Sequence, residues 1–207
     1  MPSVIRRICR ARASLVVVDI QERLLPAIFE KERLVRNARV HIQGARILGL
    51  PVLLTEQYRQ GLGPTVPEIA EAVAGSNASP AVPPSDSNCL PCVPDHAVHP
   101  IEKLTFSAVG VPAFDQALAS AGVTDVVVCG IEAHVCVSQT CLDLLERQFR
   151  VFVVADAVSS RTAENRRLGL DRMRDAGATM VSTEMVLFEL LERAGTPEFK
   201  QILPLVK

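Results

Sequence analysis

The sequence predicts a three-layer α/β/α protein, in which helices cover both faces of a doubly wound, six-stranded parallel sheet. Short runs of β-branched and aliphatic residues alternate along the chain with longer segments whose apolar residues recur at helical spacing. The short runs are apolar at consecutive positions, which is typical of strands buried on both faces. Glycine follows several of the helical segments and indicates where they end.

The alternation assigns one strand before each main helical segment. Strands are predicted at residues 15–20, 51–55, 100–103, 126–129, 151–156 and 178–181. Helices are predicted at residues 31–48, 68–73 and 114–121. A fourth helix begins at about residue 136, a fifth ends at about residue 176, and a sixth runs from about residue 183 to 191. Each strand–helix–strand crossover should be right-handed. Residues 56–67 are predicted to form a loop above the carboxyl end of the second strand.

The chain of 207 residues fits one domain better than two. We expect that domain to span residues 14–207, with a proline-rich insertion at 75–99, after a basic segment at 1–13. The basic segment is interpreted either as a frayed amino terminus or as a short organelle-targeting signal. The expected location is therefore cytoplasmic or mitochondrial.

Composition argues against some classes of partner. The formal net charge of -1 gives no reason to expect nucleic acid as the main partner. The apolar runs are too short to span a membrane. Six cysteines without an apolar leader indicate a reducing compartment and free thiols. A small-molecule substrate is the expected partner, and the apolar tail from Thr196 docks either on its own domain or on a neighbouring subunit of a homo-oligomer.

Three chemically distinct residues lie where predicted strands end. Asp19 ends the first strand, Lys103 ends the third, and Cys136 follows the fourth, in the first turn of a predicted helix. The carboxyl ends of parallel strands form the ligand crevice of such a sheet. An acid, a cation and a thiol together supply what nucleophilic acyl chemistry requires. The helix amino terminus and Lys103 are expected to lower the pKa of Cys136.

Other residues near these strand ends are candidates for a substrate pocket. They are Gln21, Tyr58 and Phe106.

A metal site in the insertion is a competing hypothesis that we do not favour. Cys89, Cys92, His96 and His99 could be ligands, but the two pairs are too close together for a small fold to form between them. A surface loop with free thiols is the preferred interpretation.

Longer segments around these residues resemble the isochorismatase-like cysteine hydrolase superfamily, especially its isochorismatase domain-containing branch. The resemblance rests on Val-Val-Asp-Ile-Gln at 17–21, Ile-Glu-Lys-Leu-Thr-Phe-Ser at 101–107 and Gly-Ile-Glu-Ala-His-Val-Cys-Val at 130–137. It implies that Asp19, Lys103 and Cys136 form a catalytic triad, with a cis peptide between Ile131 and Glu132. It further implies an oxyanion hole made by the backbone N–H groups of Glu132 and Cys136.

The resemblance also has a departure. Nicotinamidases of the superfamily carry an Asp-x-His metal motif where this chain has Glu56-Gln57-Tyr58. We therefore expect no catalytic metal, no cofactor, and a substrate other than nicotinamide. A cysteine nucleophile favours hydrolysis of a small amide-like carbon–nitrogen bond. Two alternatives stay open: a non-catalytic or redox-sensitive binding protein on the same fold, and a mitochondrial nuclease-type role proposed for some eukaryotic relatives.

Overall fold

The computed structural model describes residues 7–75 and 98–207, and within these residues six parallel strands form one sheet in the order β3-β2-β1-β4-β5-β6. The strands are β1 Ala13–Val18, β2 Val52–Gln57, β3 Ile101–Lys103, β4 Asp125–Ile131, β5 Arg150–Ser159 and β6 Thr179–Val181. The helices are α1 Lys31–Leu48, α2 Arg59–Leu62, α3 Pro67–Ala74, α4 Pro112–Ala121, α5 Ser138–Glu146, α6 Ala163–Asp175, α7 Thr183–Leu191 and α8 Pro197–Ile202. The predicted fold class is confirmed.

Two separate apolar clusters define the three layers. On one face of the sheet the core is built from α1, α3, α7 and α8, and on the other face from α4, α5 and α6. Neighbouring residues of β1 and β4 alternate between the two clusters, and both strands are buried along their whole length. That two-sided burial is why these strands are apolar at consecutive positions.

The strand order reverses between β1 and β4, so these two central strands flank the topological switch point. Crossovers on either side of such a point run to opposite faces and leave a crevice at the carboxyl ends of the strands. Asp19 directly follows β1, and Cys136 lies five residues beyond the end of β4. The fold thus brings the acid and the thiol to the one edge where a crevice is expected.

Three strands, β2, β4 and β5, extend beyond their predicted carboxyl ends. Strand β2 continues through Glu56 and Gln57, which were predicted to lie in a loop, and the region after it contains the short helix α2. Strand β5 runs to Ser159, so Asp156 is not at a carboxyl end. Its carboxylate instead accepts hydrogen bonds from the Thr183 N–H and hydroxyl at the start of α7. Polar side chains near the carboxyl ends of these strands form hydrogen bonds with residues distant in the sequence, which hydrophobic patterning does not reveal.

Both ends of the described chain are tied to the domain. The Asp125 carboxylate accepts from the Cys9 N–H at 2.8 Å and pairs with Arg150. Ile202 in α8 is buried in the cluster formed with α1 and α7, so the tail docks on its own domain. No helix in residues 7–75 or 98–207 is long and apolar enough to cross a membrane. Residues 1–6 lie outside the described residues, and the cytoplasmic or mitochondrial location stays a prediction.

His41 in α1 is a buried base that should make folding sensitive to acid. The residue is 3% exposed, and among the described residues no group forms a hydrogen bond with its Nε2 atom. Burial lowers its pKa from 6.5 to about 4, against a smaller opposite effect of Asp156. The unfolded chain therefore binds a proton between these two pH values that the folded chain does not. Stability should fall by about 3 kcal/mol as the pH falls from 6.5 to 4.

The variant His41→Leu tests this directly. It cannot titrate, so urea unfolding between pH 4 and 6.5 should show a shallower pH dependence than wild type. Because His99 is exposed, His99→Leu serves as the control and should keep the wild-type slope. An unchanged slope in His41→Leu would assign the acid sensitivity to other groups.

Candidate active site

Asp19 and Lys103 form an ion pair at the carboxyl edge of the sheet. Lys103 Nζ lies 2.7 Å from Asp19 Oδ2, and both side chains are fully buried. Asp19 has a φ of 51°, an unusual value for a residue other than glycine, which turns the chain directly after β1. Its second oxygen, Oδ1, accepts from the Thr55 hydroxyl at 2.6 Å. The carboxylate is thus held from two sides.

The ammonium group of Lys103 has an acceptor for each of its three N–H bonds. Besides Asp19, it donates to Gln57 Oε1 at 2.8 Å and to the Phe106 carbonyl at 3.0 Å, with the Thr105 carbonyl farther away at 3.4 Å. A buried ammonium needs this complete set, because an unpaired charge in the interior is costly. Lys103 is therefore fixed in position.

Cys136 lies in a π-helical turn, Ala133–Val137, that joins β4 to α5. The residue is 6% exposed, and its Sγ atom lies 4.0 Å from Gln57 Oε1. Burial raises the pKa of the Cys136 thiol to about 12, and the Asp19 carboxylate raises it further than Lys103 lowers it. The expectation of a lowered pKa is wrong, because Cys136 is buried and Lys103 is already paired with Asp19. The raised pKa favours the thiol over the thiolate at neutral pH.

The turn that carries Cys136 is shaped by its own backbone. Gly130 has a φ of 122°, and a Cβ there would lie 2.1 Å from the Val18 carbonyl oxygen, so β4 can approach β1 only with glycine at this position. The peptide bond between Ile131 and Glu132 is cis. The Glu132 carbonyl accepts from the Val135 and Val137 N–H groups, while its side chain pairs with Arg161 at 2.8 Å. The assignment of the Glu132 and Cys136 N–H groups to an oxyanion hole stays a prediction.

Gly169 lets α6 pack against the backbone of this turn. A Cβ at Gly169 would lie 2.6 Å from the Ala133 carbonyl carbon and 2.8 Å from the His134 nitrogen. In an unobstructed helix, replacing glycine with alanine stabilises by up to about 1 kcal/mol. Here Gly169→Ala should instead lower the free energy of unfolding by about 1–3 kcal/mol, because the added Cβ would displace backbone atoms of Ala133 and His134. Urea unfolding measures the difference.

Gly44 is the matched control for Gly169. It is also within a helix, but a Cβ there would meet the flexible Leu187 side chain, at 2.4 Å. Gly44→Ala should therefore cost less than Gly169→Ala. If both variants lose the same free energy of unfolding, the backbone contact at Gly169 is no more rigid than the side-chain contact at Gly44.

The three candidate pocket residues have different environments. Tyr58 and Phe106 are 52% and 53% exposed beside the site. Gln21 is fully buried, and its amide bonds the backbone of Gln57 and Gly63. It braces the end of β2 and presents no free polar atom to a substrate.

Sequence patterning missed Thr55 and Gln57. Thr55 bonds Asp19, and Gln57 bonds Lys103 and contacts the thiol. The available signal was that polar residues continue a buried strand at the carboxyl edge of a parallel sheet, where ligand contacts concentrate. His134, by contrast, pairs with Ser160 Oγ at 3.0 Å rather than with the thiol.

The described residues contain no group of three or more His, Cys, Asp or Glu side chains able to hold a metal ion. Glu56, which occupies the place of the nicotinamidase motif, bonds the Thr65 N–H and hydroxyl at 2.7 Å and pairs with Arg59. Cys89, Cys92 and His96 lie outside the described residues, so the hypothesis of a metal site in the insertion is not tested.

Comparison with known proteins identifies the family. The isochorismatase domain matches residues 13–185. Isochorismatase domain-containing protein 2 from Danio rerio is 37% identical over 199 residues, which cover 96% of this chain and 88% of that protein. The MAR1 ribonuclease from Caenorhabditis elegans has a TM-score of 0.81 and 36% identity, over 97% of this chain and 92% of that one. YcaC from Pseudomonas aeruginosa, solved with hexane-2,5-diol and covalent acrylamide, has a TM-score of 0.81 and 26% identity, over 98% and 92% of the two chains. The chain belongs to the isochorismatase domain family.

Proposed function

We propose that this protein is a cysteine hydrolase that cleaves a small amide-like carbon–nitrogen bond, with Cys136 as nucleophile, Asp19 as base and Lys103 as electrostatic partner. The observation that carries the proposal is the buried Asp19–Lys103 pair beside the Cys136 thiol. A buried ion pair is a poor source of stability, since desolvation offsets most of its attraction. Its presence beside a nucleophile favours a chemical role.

The raised pKa of the thiol decides how the first step proceeds. A free thiolate would be rare at neutral pH, so proton transfer from Sγ to Asp19 accompanies attack on the carbonyl carbon. The carbon–sulfur bond forms while the carbonyl oxygen gains negative charge. The N–H groups of Glu132 and Cys136 are the proposed donors to that oxygen.

The second half of the cycle uses the same carboxyl group. Asp19 gives its proton to the leaving nitrogen as the carbon–nitrogen bond breaks, which leaves a thioester on Cys136. Asp19 then takes a proton from water as the water oxygen attacks the thioester. That proton returns to the sulfur when the acid product leaves. Lys103 stays hydrogen-bonded to Asp19 throughout this cycle and holds the carboxyl group in place between transfers.

One further observation argues against nicotinamide as the substrate. In this chain Glu56 is engaged by Thr65 and Arg59 at the place of the nicotinamidase metal motif. A substrate whose binding requires no metal ion therefore fits this arrangement better than nicotinamide.

The experiment is a panel of carboxamides, ureides and carbamoyl compounds, assayed for release of ammonia or amine. We expect measurable turnover of at least one small aliphatic member and none of nicotinamide. Release from nicotinamide alone would contradict the argument from Glu56. No release from any member, with the folded protein confirmed by cooperative unfolding, would favour the binding-protein alternative.

A nuclease is the second candidate, because the similar structure from Caenorhabditis elegans is named a ribonuclease. The formal net charge of -1 counts against it, since proteins bind nucleic-acid phosphates mainly through lysine and arginine, and here these do not outnumber the acidic residues. The test measures both binding and cleavage of a single-stranded RNA oligonucleotide at 50 and 200 mM salt, with wild type and Cys136→Ala. Cleavage that persists in Cys136→Ala would support a nuclease site separate from the triad.

We also propose that the chain forms a homo-oligomer. Tyr58, Leu104 and Phe106 are large, exposed apolar residues near the carboxyl ends of β2 and β3. Exposed apolar surface beside a site commonly marks an interface. Light scattering coupled to size-exclusion chromatography measures the mass directly, and a monomer at micromolar concentration would overturn this proposal.

A further inference from the structure

We infer that Gln57 is a positioning residue, which holds Lys103 against Asp19 and supplies an uncharged acceptor to the Cys136 thiol. The inference deepens the proposed function and rests on it. Gln57 is the last residue of β2 and pairs in register with Lys103, the last residue of β3. It is 7% exposed.

The orientation of the Gln57 amide is determined by its neighbours. Its Nε2 donates to the Leu104 carbonyl at 2.8 Å, and its Oε1 accepts from Lys103 Nζ at 2.8 Å. The reversed amide would place N–H bonds against an ammonium and an oxygen against a carbonyl. Only one orientation is therefore compatible with both neighbours, and it points Oε1 at the Cys136 Sγ, 4.0 Å away.

The backbone of Gln57 is braced as well. Its N–H donates to Gln21 Oε1 at 2.8 Å, and its carbonyl accepts from Gln21 Nε2 at 3.0 Å. Gln21 Nε2 also donates to the Gly63 carbonyl at 2.7 Å. The buried side chain of Gln21 thus fixes the main chain of Gln57. This contact accounts for the placement of Gln21 away from the pocket.

The absence of charge on Gln57 matters for the thiol. The charges of Asp19 and Lys103 balance, so a neutral third acceptor leaves the local charge at zero. A carboxylate in the place of Gln57 would add a negative charge beside both Lys103 and Cys136, and would oppose formation of a thiolate or of an oxyanion. The acceptor must therefore be an amide rather than an acid.

The variant Gln57→Glu tests the charge, because glutamate has nearly the same shape. The readout is the rate of iodoacetamide labelling at Cys136, followed by peptide mass spectrometry from pH 7 to 10. We expect labelling at pH 8 to be at least about tenfold slower than in wild type, with the rise in rate moved to higher pH. Gln201→Glu, on an exposed turn of α8, is the matched control and should label Cys136 at the wild-type rate.

The variant Gln57→Leu tests the positioning. It removes the acceptor that fixes Lys103, and kcat for the carboxamide found in the panel should fall about 100-fold, with KM changed far less. A role limited to packing would lower thermal stability without this separation of kcat from KM.

The outcomes distinguish this inference from the proposed function. Slower labelling in Gln57→Glu supports the role of Gln57 even if no amide is hydrolysed, in which case only the proposed function fails. Wild-type labelling in Gln57→Glu overturns the inference whatever the activity. Loss of cooperative unfolding in both variants would also overturn it, because Gln57 would then be required for folding rather than for positioning.

Discussion

Replacing Cys136 with alanine should lower kcat for the carboxamide substrate by at least about 10,000-fold, because no other group in the triad can form the acyl intermediate. The Cys136 side chain is small and 6% exposed, and it lies at the edge of an apolar cluster, so the substitution should leave the fold intact. Substrate binding should be largely retained, since the carbonyl would still reach the proposed N–H donors. Steady-state kinetics and equilibrium binding together measure these two effects.

Cys129→Ala is the matched control for Cys136→Ala. Cys129 is a free, fully buried thiol in β4, and it packs in the cluster on the α1 side of the sheet. Its substitution removes the same atom and should cost some stability but little activity. Comparable losses of activity in both variants would show that removal of a buried sulfur, and not of the nucleophile, caused the effect.

Replacing Asp19 with asparagine should lower kcat by about 100-fold to 10,000-fold, because a general base acts in both half-reactions. The raised pKa of the thiol makes this base more important than in an enzyme with a preformed thiolate. Increasing the pH should restore part of the rate in Asp19→Asn, since the thiol then ionises without help. A pH–rate profile from pH 6 to 10 measures both effects.

Asp19→Asn also leaves the Lys103 charge unpaired in the interior, and breaking such a pair costs about 3–5 kcal/mol. The double variant Asp19→Asn/Lys103→Met removes both charges and should recover much of that stability without recovering activity. Activity that returns together with stability would mean that the ion pair serves folding alone.

Much of the architecture follows from local patterns. Helix α1 begins and ends where its apolar spacing and Gly49 predict, because one face of an amphipathic helix must meet the core. Asp19, Lys103 and Cys136 could be placed at one edge from strand ends alone, since parallel strands bring their carboxyl ends together. The structure adds that Asp19 and Lys103 pair with each other at this buried edge.

The protonation of the thiol could not be predicted in the same way. Whether the pKa of the thiol is raised or lowered depends on the balance between burial, the Asp19 carboxylate and the Lys103 ammonium. Only the three-dimensional arrangement sets that balance. The position of Gln57 at the carboxyl edge had a signal in the sequence, but its hydrogen bonds to Lys103 and Leu104 depend on the register between β2 and β3, which periodicity does not give. His41 has a helical position that suits either partial exposure or burial, and its neighbours in α7 decide the outcome.

The central claim is that Cys136 becomes acylated during turnover. Acid quenching of the enzyme during hydrolysis of its best carboxamide, followed by peptide mass spectrometry, tests it most directly. The account predicts an added mass equal to the acyl group of the substrate on the peptide that contains Cys136, and its loss after treatment with hydroxylamine. Continued turnover with no adduct on Cys136, in an enzyme whose Cys136→Ala variant is equally active, would contradict it.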